Sequence, residues 1–351
     1  VIEALLSWFE RAKRPFPWRA QGETDDPYRV LVAEALLHQT QATRAGPFYE
    51  RFLARFPSLA ALAAADDDSV LAAWQGLGYY QRALRLRSTA QLVATSYAGA
   101  LPRQPEVLLT LPGVGRYTAR AVAARAFGAT LIAVDANVRR VGARVMAEPR
   151  PRDEEVEHAL AQLLFGDARS SDARHANATE ALIELGATVC RPRGPNCTAC
   201  PLRPGCRAAQ LGEPEAFPLA LRRTEPRSEH VTLLVARHGD HVALRRRPRK
   251  GRWARLWGFP TDAAADAQEA PLVHFEHHLT HRRLAVRAIA APPPGNDGAT
   301  VWLELERVAA GGGDHPVAVI DQRLARALID LERDAPGDQA SAASAKRGER
   351  A

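Results

Sequence analysis

Three groups of residues in this sequence have types and spacings that can do chemistry. Cys190, Cys197, Cys200 and Cys206 are its only cysteines, spaced Cys-x6-Cys-x2-Cys-x5-Cys. Four thiolates this close can hold a zinc ion or a [4Fe–4S] cluster, and the single tight Cys-x2-Cys pair departs from the two-pair pattern of a zinc ribbon. Free or disulfide-bonded cysteines are the plain alternative. Glu34 is the only acid between Tyr28 and Gln41, and its neighbours from Val30 to Leu37 are otherwise apolar. A helix apolar nearly all round has little solvent face for a carboxylate; burial would raise the pKa and leave a proton donor near pH 7. The other reading is a surface glutamate opposite the core. Gly113-Val114-Gly115 joins a short helix to a longer one, and backbone N–H groups at such a turn can bind phosphate without reading sequence. A plain tight turn has the same pattern. Asp135 follows the apolar run 131–134 and opens a new helix, where it could serve merely as an N-cap.

The elements that must position these residues are helical as far as about Ala208, with apolar residues recurring at three and four and with Ala and Leu dominant. Asp26-Pro27 supplies an N-cap and a helix-starting proline for the run to Gln41. Further helices are expected over 46–55, 68–75, 79–97, 105–109, 116–127, 136–146, 153–164 and 172–189. Residues 209–228, with Gly212 and three prolines, read as a linker. Beyond it, 231–236 and 242–244 look like strands joined at Gly239-Asp240, with further strands at 284–289 and 300–305. A smaller α+β domain over 229–333 and a disordered tail from 334 to 351 complete the expected organisation.

Composition narrows the class. With 46% hydrophobic and 25% charged residues over 351 positions, the chain is not wholly disordered and is long enough for two domains. It has no apolar run long enough for a membrane span, and its start reads as an amphipathic helix and not a signal peptide, so a cytoplasmic protein is expected. Forty-seven Lys and Arg against forty Asp and Glu give +7, which favours a polyanionic partner. Only Lys13, Lys250 and Lys346 are lysines.

The glycine turn, the trailing Asp135 and the cysteine spacing, in this order, resemble the helix–hairpin–helix, endonuclease III-like superfamily of DNA repair glycosylases. On that resemblance the cysteines imply a [4Fe–4S] cluster, with a structural role in presenting the basic loop 191–205. Bifunctional members of the superfamily place a Schiff-base lysine after Gly-Val-Gly-Arg; here the residue is Tyr117, and no lysine occurs between Lys13 and Lys250. Water should therefore be the final nucleophile. The segment around Glu34, with Pro17-Trp18-Arg19 before it and Gly76-Leu-Gly-Tyr-Tyr80 after it, resembles the adenine DNA glycosylase family (MutY). The resemblance implies that Glu34 protonates adenine at N7 and later handles the water proton. Asp135, ionised, stabilises or transiently bonds the sugar cation, while Tyr117 and Asn137 orient the carboxylates. Ala136 stands where the family often has glycine.

By the same resemblance Trp18, Arg19, Leu37, Glu180 and Ile183 line an adenine pocket, Gln39 and Tyr80 enter the duplex, and Gly113, Val114 and Gly115 hold the backbone. His38 replaces a glutamine often found beside the wedge. Gly251–Pro260 resembles part of the Nudix-like domain of the family, but Thr261–Ala270 lacks the acids of a metal-binding hydrolase helix, so this domain should bind and not hydrolyse. Leu279, Thr280 and His281 fall where the family carries the Phe-Ser-His loop that probes 8-oxoguanine; a hydroxyl can accept from the N7–H that marks that lesion.

The expected protein is thus multidomain, with an all-α helix-hairpin-helix glycosylase domain (1–208, hairpin 105–127, cluster loop 190–206) and a Nudix-like α+β domain. It would be a monomeric, monofunctional, nucleoid-associated enzyme acting on duplex DNA with 8-oxoguanine:adenine or guanine:adenine mispairs. An endonuclease III-like glycosylase for damaged pyrimidines is the alternative enzyme, and a catalytically silent iron–sulfur DNA-binding protein the alternative of a different class.

Overall fold

The computed structural model describes residues 1–20, 26–166, 177–220, 225–262, 269–294 and 299–334. Two compact units form: Val1–Leu77 with Gln81–Arg223, and Gly78–Tyr80 with Thr224–Ala351. The expected tail lies outside the described residues but for Asp334, and residues 263–268 of the stretch Thr261–Ala270 lie outside them too. No helix among the described residues is long and apolar enough to cross a membrane.

The first unit is helical. Its elements are α1 (Ile2–Ala12), α2 (Pro27–Leu37), α3 (Ala42–Arg55), α4 (Leu59–Ala64), α5 (Asp67–Ala73), α6 (Gln81–Ser96), α7 (Pro105–Leu108), α8 (Arg116–Phe127), α9 (Ala136–Met146), α10 (Asp153–Phe165), α11 (Ala178–Thr188) and α12 (Arg207–Leu211). Helix α2 starts where expected: the Asp26 carboxylate accepts from the Tyr28 and Arg29 N–H groups, with Pro27 at the first helical position. It packs against α3, α6 and α8 and buries Val30, Leu31, Val32, Ala33 and Leu36. Each large apolar side chain so buried contributes roughly 1.5–3 kcal/mol. A second core joins α1, α9, α10 and α11 through Leu5, Val138, Val141, Val156, Leu160 and Leu182.

Three local expectations change. Helix α4 was not expected; Ser58 caps it by accepting from Ala61 N–H, and six residues are too few to show a period. Helix α6 starts at Gln81 and not at 79, because Gly78 and Tyr79 have positive φ (74° and 49°), a conformation a right-handed helix excludes. The linker expected over 209–228 is largely part of the helical unit. Phe217 O accepts from Arg144 Nε at 3.0 Å, Leu219 N–H donates to Pro149 O at 2.9 Å, and Glu215 accepts from Gly194 N–H. Proline-rich composition marks irregular backbone, but these cross-chain bonds tie it down.

In the second unit, β1 (Arg227–Val235), β6 (Arg282–Ala290) and β5 (Val273–Leu279) form one sheet in the order β1-β6-β5, with β1 parallel and β5 antiparallel to β6. Strands β2 (Arg237–His238), β3 (His241–Arg246), β4 (Trp257–Gly258) and β7 (Thr300–Glu304) form a second sheet centred on β3. The expected pairing of 231–236 with 242–244 is therefore corrected. The Gly239 turn joins only the short β2 to β3, while β1 takes β6 as its partner. Helices α13 (Leu305–Ala310) and α14 (Val319–Asp334) pack together, and α14 also lies on β5. Asp321 on α14 is fully buried and accepts from both terminal nitrogens of Arg247 at 2.8 Å and from Phe259 N–H at 3.0 Å.

Candidate active site

Helix α2 brings Glu34 to the wall of a cleft of about 460 Å³ in the helical unit, bordered also by Gly113, Val114, Gly115 and Tyr117. Glu34 is 3% exposed. Oε1 accepts from Arg125 Nη1 at 2.8 Å, and Oε2 is buried with no hydrogen-bond partner of complete geometry. Burial raises the carboxyl above the ordinary carboxylate range, opposed by Arg125 and by the Tyr117 hydroxyl. The Tyr117 hydroxyl is itself buried; burial and the nearby Glu34 and Asp135 carboxyls push its pKa well up, so it remains a neutral donor. Tyr117 thus feels both carboxyl groups the sequence singled out.

Asp135 is held in the opposite manner. It caps α9: Oδ1 accepts from Val138 N–H at 2.7 Å and Oδ2 from Asn137 Nδ2 at 2.9 Å. Burial raises its pKa while those two donors pull it down. Arg140 fixes Asn137 by donating to its Oδ1 at 2.9 Å, and reaches Gly186 O at 2.7 Å and Cys190 O at 2.8 Å. Gly186 permits this approach: a Cβ there would lie 2.6 Å from the Asn137 Cβ. The N-cap and the catalytic readings of Asp135 are therefore compatible. The cap itself is what orients the carboxylate.

At the hairpin, Gly113 (φ 77°) turns the chain close over α6, where a Cβ would sit 2.7 Å from the Arg85 Cβ. Gly113 and Gly115 are exposed and α8 begins at Gly115 without a side-chain cap, so its first N–H groups face outward. Val114 differs from the two glycines: its side chain is buried and its N–H donates to Leu111 O, so it anchors the turn.

The expected adenine-pocket residues do not border the cleft. Trp18 is 3% exposed, stacked on Phe16 and edge-on to Tyr49, and so is a core aromatic. Arg19 and Glu180 bind each other at 2.6 Å, and Arg19 also reaches Glu184 at 3.0 Å. Leu37 and Ile183 are half-buried. Sequence reasoning missed the residue that links several of these: Arg125 on α8, which contacts Glu34, the Trp18 carbonyl at 3.3 Å and Glu180 at 3.5 Å. An arginine in an alanine-rich helix gives no sign of such a contact.

Of the residues expected to enter DNA, Gln39 is exposed and has a positive φ of 62°, a strained position at the end of α2. Arg82 braces it by donating to the carbonyls of Ala35, Leu36 and His38. Tyr80, at 5% exposure, is buried, whereas Tyr79, at 46% and with positive φ, projects. The Tyr79 hydroxyl lies 2.8 Å from the Thr280 hydroxyl, within the second unit. Thr280 and His281 are exposed and form the two-residue turn between β5 and β6, where Leu279 pairs with Arg282.

All four cysteine thiols border one cavity. Among the described residues no group of three or more His, Cys, Asp or Glu is arranged to chelate a single metal ion, which covers the histidine-rich β5 as well. Arg144 Nη1 donates to Cys190 Sγ at 3.2 Å. Burial and the neighbouring thiols push Cys200 up to about 11. Four thiols around one cavity are a donor set that suits a shared inorganic group.

Residues 32–164 match the family described as HhH-GPD superfamily base excision DNA repair protein. The adenine DNA glycosylase of Mycolicibacterium smegmatis is 42% identical over 212 residues, covering 60% of this chain and 70% of that protein. The human adenine DNA glycosylase is 34% identical over 311 residues, covering 74% of this chain and 56% of the human protein. Among solved structures, a thermostable thymine-DNA glycosylase aligns with a TM-score of 0.52 at 28% identity, covering 60% of this chain and 95% of that one. The chain belongs to the adenine DNA glycosylase family, hydrolases of N-glycosyl bonds within the HhH-GPD superfamily of base-excision repair proteins.

Proposed function

We propose that this protein is a monofunctional adenine DNA glycosylase that removes adenine mispaired with 8-oxoguanine, or with guanine, from duplex DNA. The observation that carries the reading is the Glu34 carboxyl: buried in a cleft beside a glycine hairpin, raised in pKa, and with one oxygen left for a ligand. Adenine is a poor leaving group as an anion, so a proton must reach it as the bond breaks. Glu34 gives its proton to adenine N7, the C1′–N9 electron pair leaves with the neutral base, and the sugar becomes oxocarbenium-like. Asp135, clamped by Val138 N–H and Asn137, meets that cation as an anion or bonds it transiently. Water then adds at C1′ and passes its proton to the Glu34 carboxylate. Tyr117 keeps its proton and orients Glu34, and the want of a nearby lysine removes the lyase step.

Gly113, Gly115 and Gln39 grip the DNA in this reading, and Tyr79 replaces Tyr80 as the wedge. Leu279, Thr280 and His281, at an exposed hairpin tip in a Nudix-like second unit, read the 8-oxoguanine. Cys190, Cys197, Cys200 and Cys206 would hold a [4Fe–4S] cluster, which would supply structural cross-linking of the loop and no reaction step. The protein acts as a monomer.

The deciding experiment incubates the protein with a duplex carrying one 8-oxoguanine·adenine pair and maps alkali-labile sites in the adenine strand. Cleavage at the adenine, lost in Glu34→Gln, is expected. Absence of such sites, or equal yield from the variant, overturns the reading. Cleavage at oxidised pyrimidines instead would favour the endonuclease III-like alternative.

A further inference from the structure

The buried ion pairs around the cleft form a chain: Glu34 Oε1 to Arg125 Nη1 (2.8 Å), Arg125 Nε to Glu180 Oε2 (3.5 Å), and Glu180 Oε1 to Arg19 Nε (2.6 Å). Arg125 is its centre, with a side chain 4% exposed. Burial opposes its charge, but Glu180 and Glu34 together raise its pKa, so it is a permanent cation. A guanidinium can only donate. The carbonyl oxygen of a protonated carboxyl accepts better than its hydroxyl oxygen, so the guanidinium on Oε1 favours a proton on Oε2, which has no partner of full hydrogen-bond geometry.

We propose that Arg125 is a positioning residue for adenine excision, which clamps one oxygen of Glu34 so that the proton is carried on the other, Oε2, and offered to the base from there. The proposal rests on Glu34 being the proton donor. Arg125 also limits how firmly the carboxyl holds its proton, since an opposite charge within hydrogen-bond distance favours the anion. Glu180 shares the guanidinium and tempers that pull; Arg19, in turn, holds Glu180. Glu180 and Arg19 thereby also serve the acid from behind. The titratable and charged groups facing the carboxyl are Arg125 and Tyr117 from α8 and Glu180 from α11. Farther out on the cleft wall stand His38 at the end of α2, Arg82 and Arg85 from α6, and Arg116 of α8.

The test compares wild type, Arg125→Lys and Arg125→Met in single-turnover excision from an 8-oxoguanine·adenine duplex across pH. It adds a ¹³C-carboxyl NMR titration of Glu34 in the free protein. Arg125→Met is expected to lower the plateau rate at least about tenfold and to move the alkaline limb, and the Glu34 titration, to higher pH by roughly one unit or more. Arg125→Lys, which keeps a cation, should return both toward wild type. Where Arg125→Met does not melt cooperatively, Arg125→Met/Glu180→Gln removes both buried charges together and is read in its place. An active wild type with an unmoved limb and titration in the folded variant overturns this inference alone. An inactive wild type overturns the functional reading, and the catalytic role of Arg125 with it.

Discussion

Glu34 with Arg125 in the helical unit, and Asp321 with Arg247 in the second unit, are both buried carboxylate–guanidinium pairs, and they are completed differently. Asp321 is held on both oxygens: two parallel bonds from Arg247 and a third from Phe259 N–H reach them. Glu34 receives one guanidinium bond and keeps Oε2 buried without a full partner. A pair with both oxygens held ties α14 to the β3–β4 region. A pair left one bond short holds an unmet desolvation cost that a substrate can relieve. The same two chemical groups therefore make a structural tie in one unit and, in our reading, a proton donor in the other.

The sharpest way to break this contrast is to neutralise each acid without changing its shape. Glu34→Gln should lower single-turnover adenine excision by about 10²–10⁴-fold, the usual range for loss of a general acid. It should leave thermal unfolding by circular dichroism at or above the wild-type midpoint, because a buried group that resists ionisation has been made neutral. A destabilised Glu34→Gln with retained excision would reverse the assignment of roles.

In the second unit the expected effect is on stability. Arg247→Met leaves the Asp321 charge buried and unpaired and should cost the second unit about 3–5 kcal/mol in denaturant unfolding. A duplex containing guanine·adenine, processed by a helical unit that still folds, should lose far less activity than with Glu34→Gln. Unchanged unfolding in Arg247→Met would show that the hold on Asp321 is not what holds α14.

The contrast between carboxyls also predicts a pH profile. In the proposed mechanism excision needs Glu34 protonated and Asp135 ionised. The rate should fall as pH rises through the raised Glu34 value and fall again as pH drops through that of Asp135. Because Glu34 acts as the acid and Asp135 as the anion in this mechanism, the Glu34 limb is the alkaline one and the Asp135 limb the acidic one. Loss of that limb in the residual activity of Glu34→Gln checks the order; a surviving alkaline limb contradicts it.

How much of this was legible in the residues follows from the range of the interactions. The burial of Glu34 and the cap at Asp135 are local facts, written in a run of apolar neighbours and in one position before a helix. The cysteine cluster is local too. Arg125 is not: the contact spans ninety-one positions in sequence, and its helix shows Arg120 and Arg125 as equals although only the second is buried. Tyr79 and Tyr80 differ by one residue, and backbone handedness at Gly78 and Tyr79, not side-chain type, decides which projects. The parallel partnership of β1 with β6 escaped notice for the same reason, since a nearby glycine turn points to the next strand and not to one about fifty residues on.

The smallest expected effect tests Asp135, the third kind of carboxyl here, held on both oxygens yet catalytic in our reading. Its oxygens are filled by Val138 N–H, which belongs to the helix, and by Asn137 Nδ2, which is replaceable. Asn137→Ala removes one donor and the link through Arg140 to Gly186 and Cys190. The cap survives, so stability should change by no more than about 1 kcal/mol, the scale of one net hydrogen bond. With less support for its anion, Asp135 should titrate at higher pH, so the acidic limb moves up while the alkaline limb, set by Glu34, stays in place. The excision rate near neutrality should fall only about tenfold. Movement of the alkaline limb instead would mean that Asn137 acts on Glu34, and that the two carboxyls are not independently held.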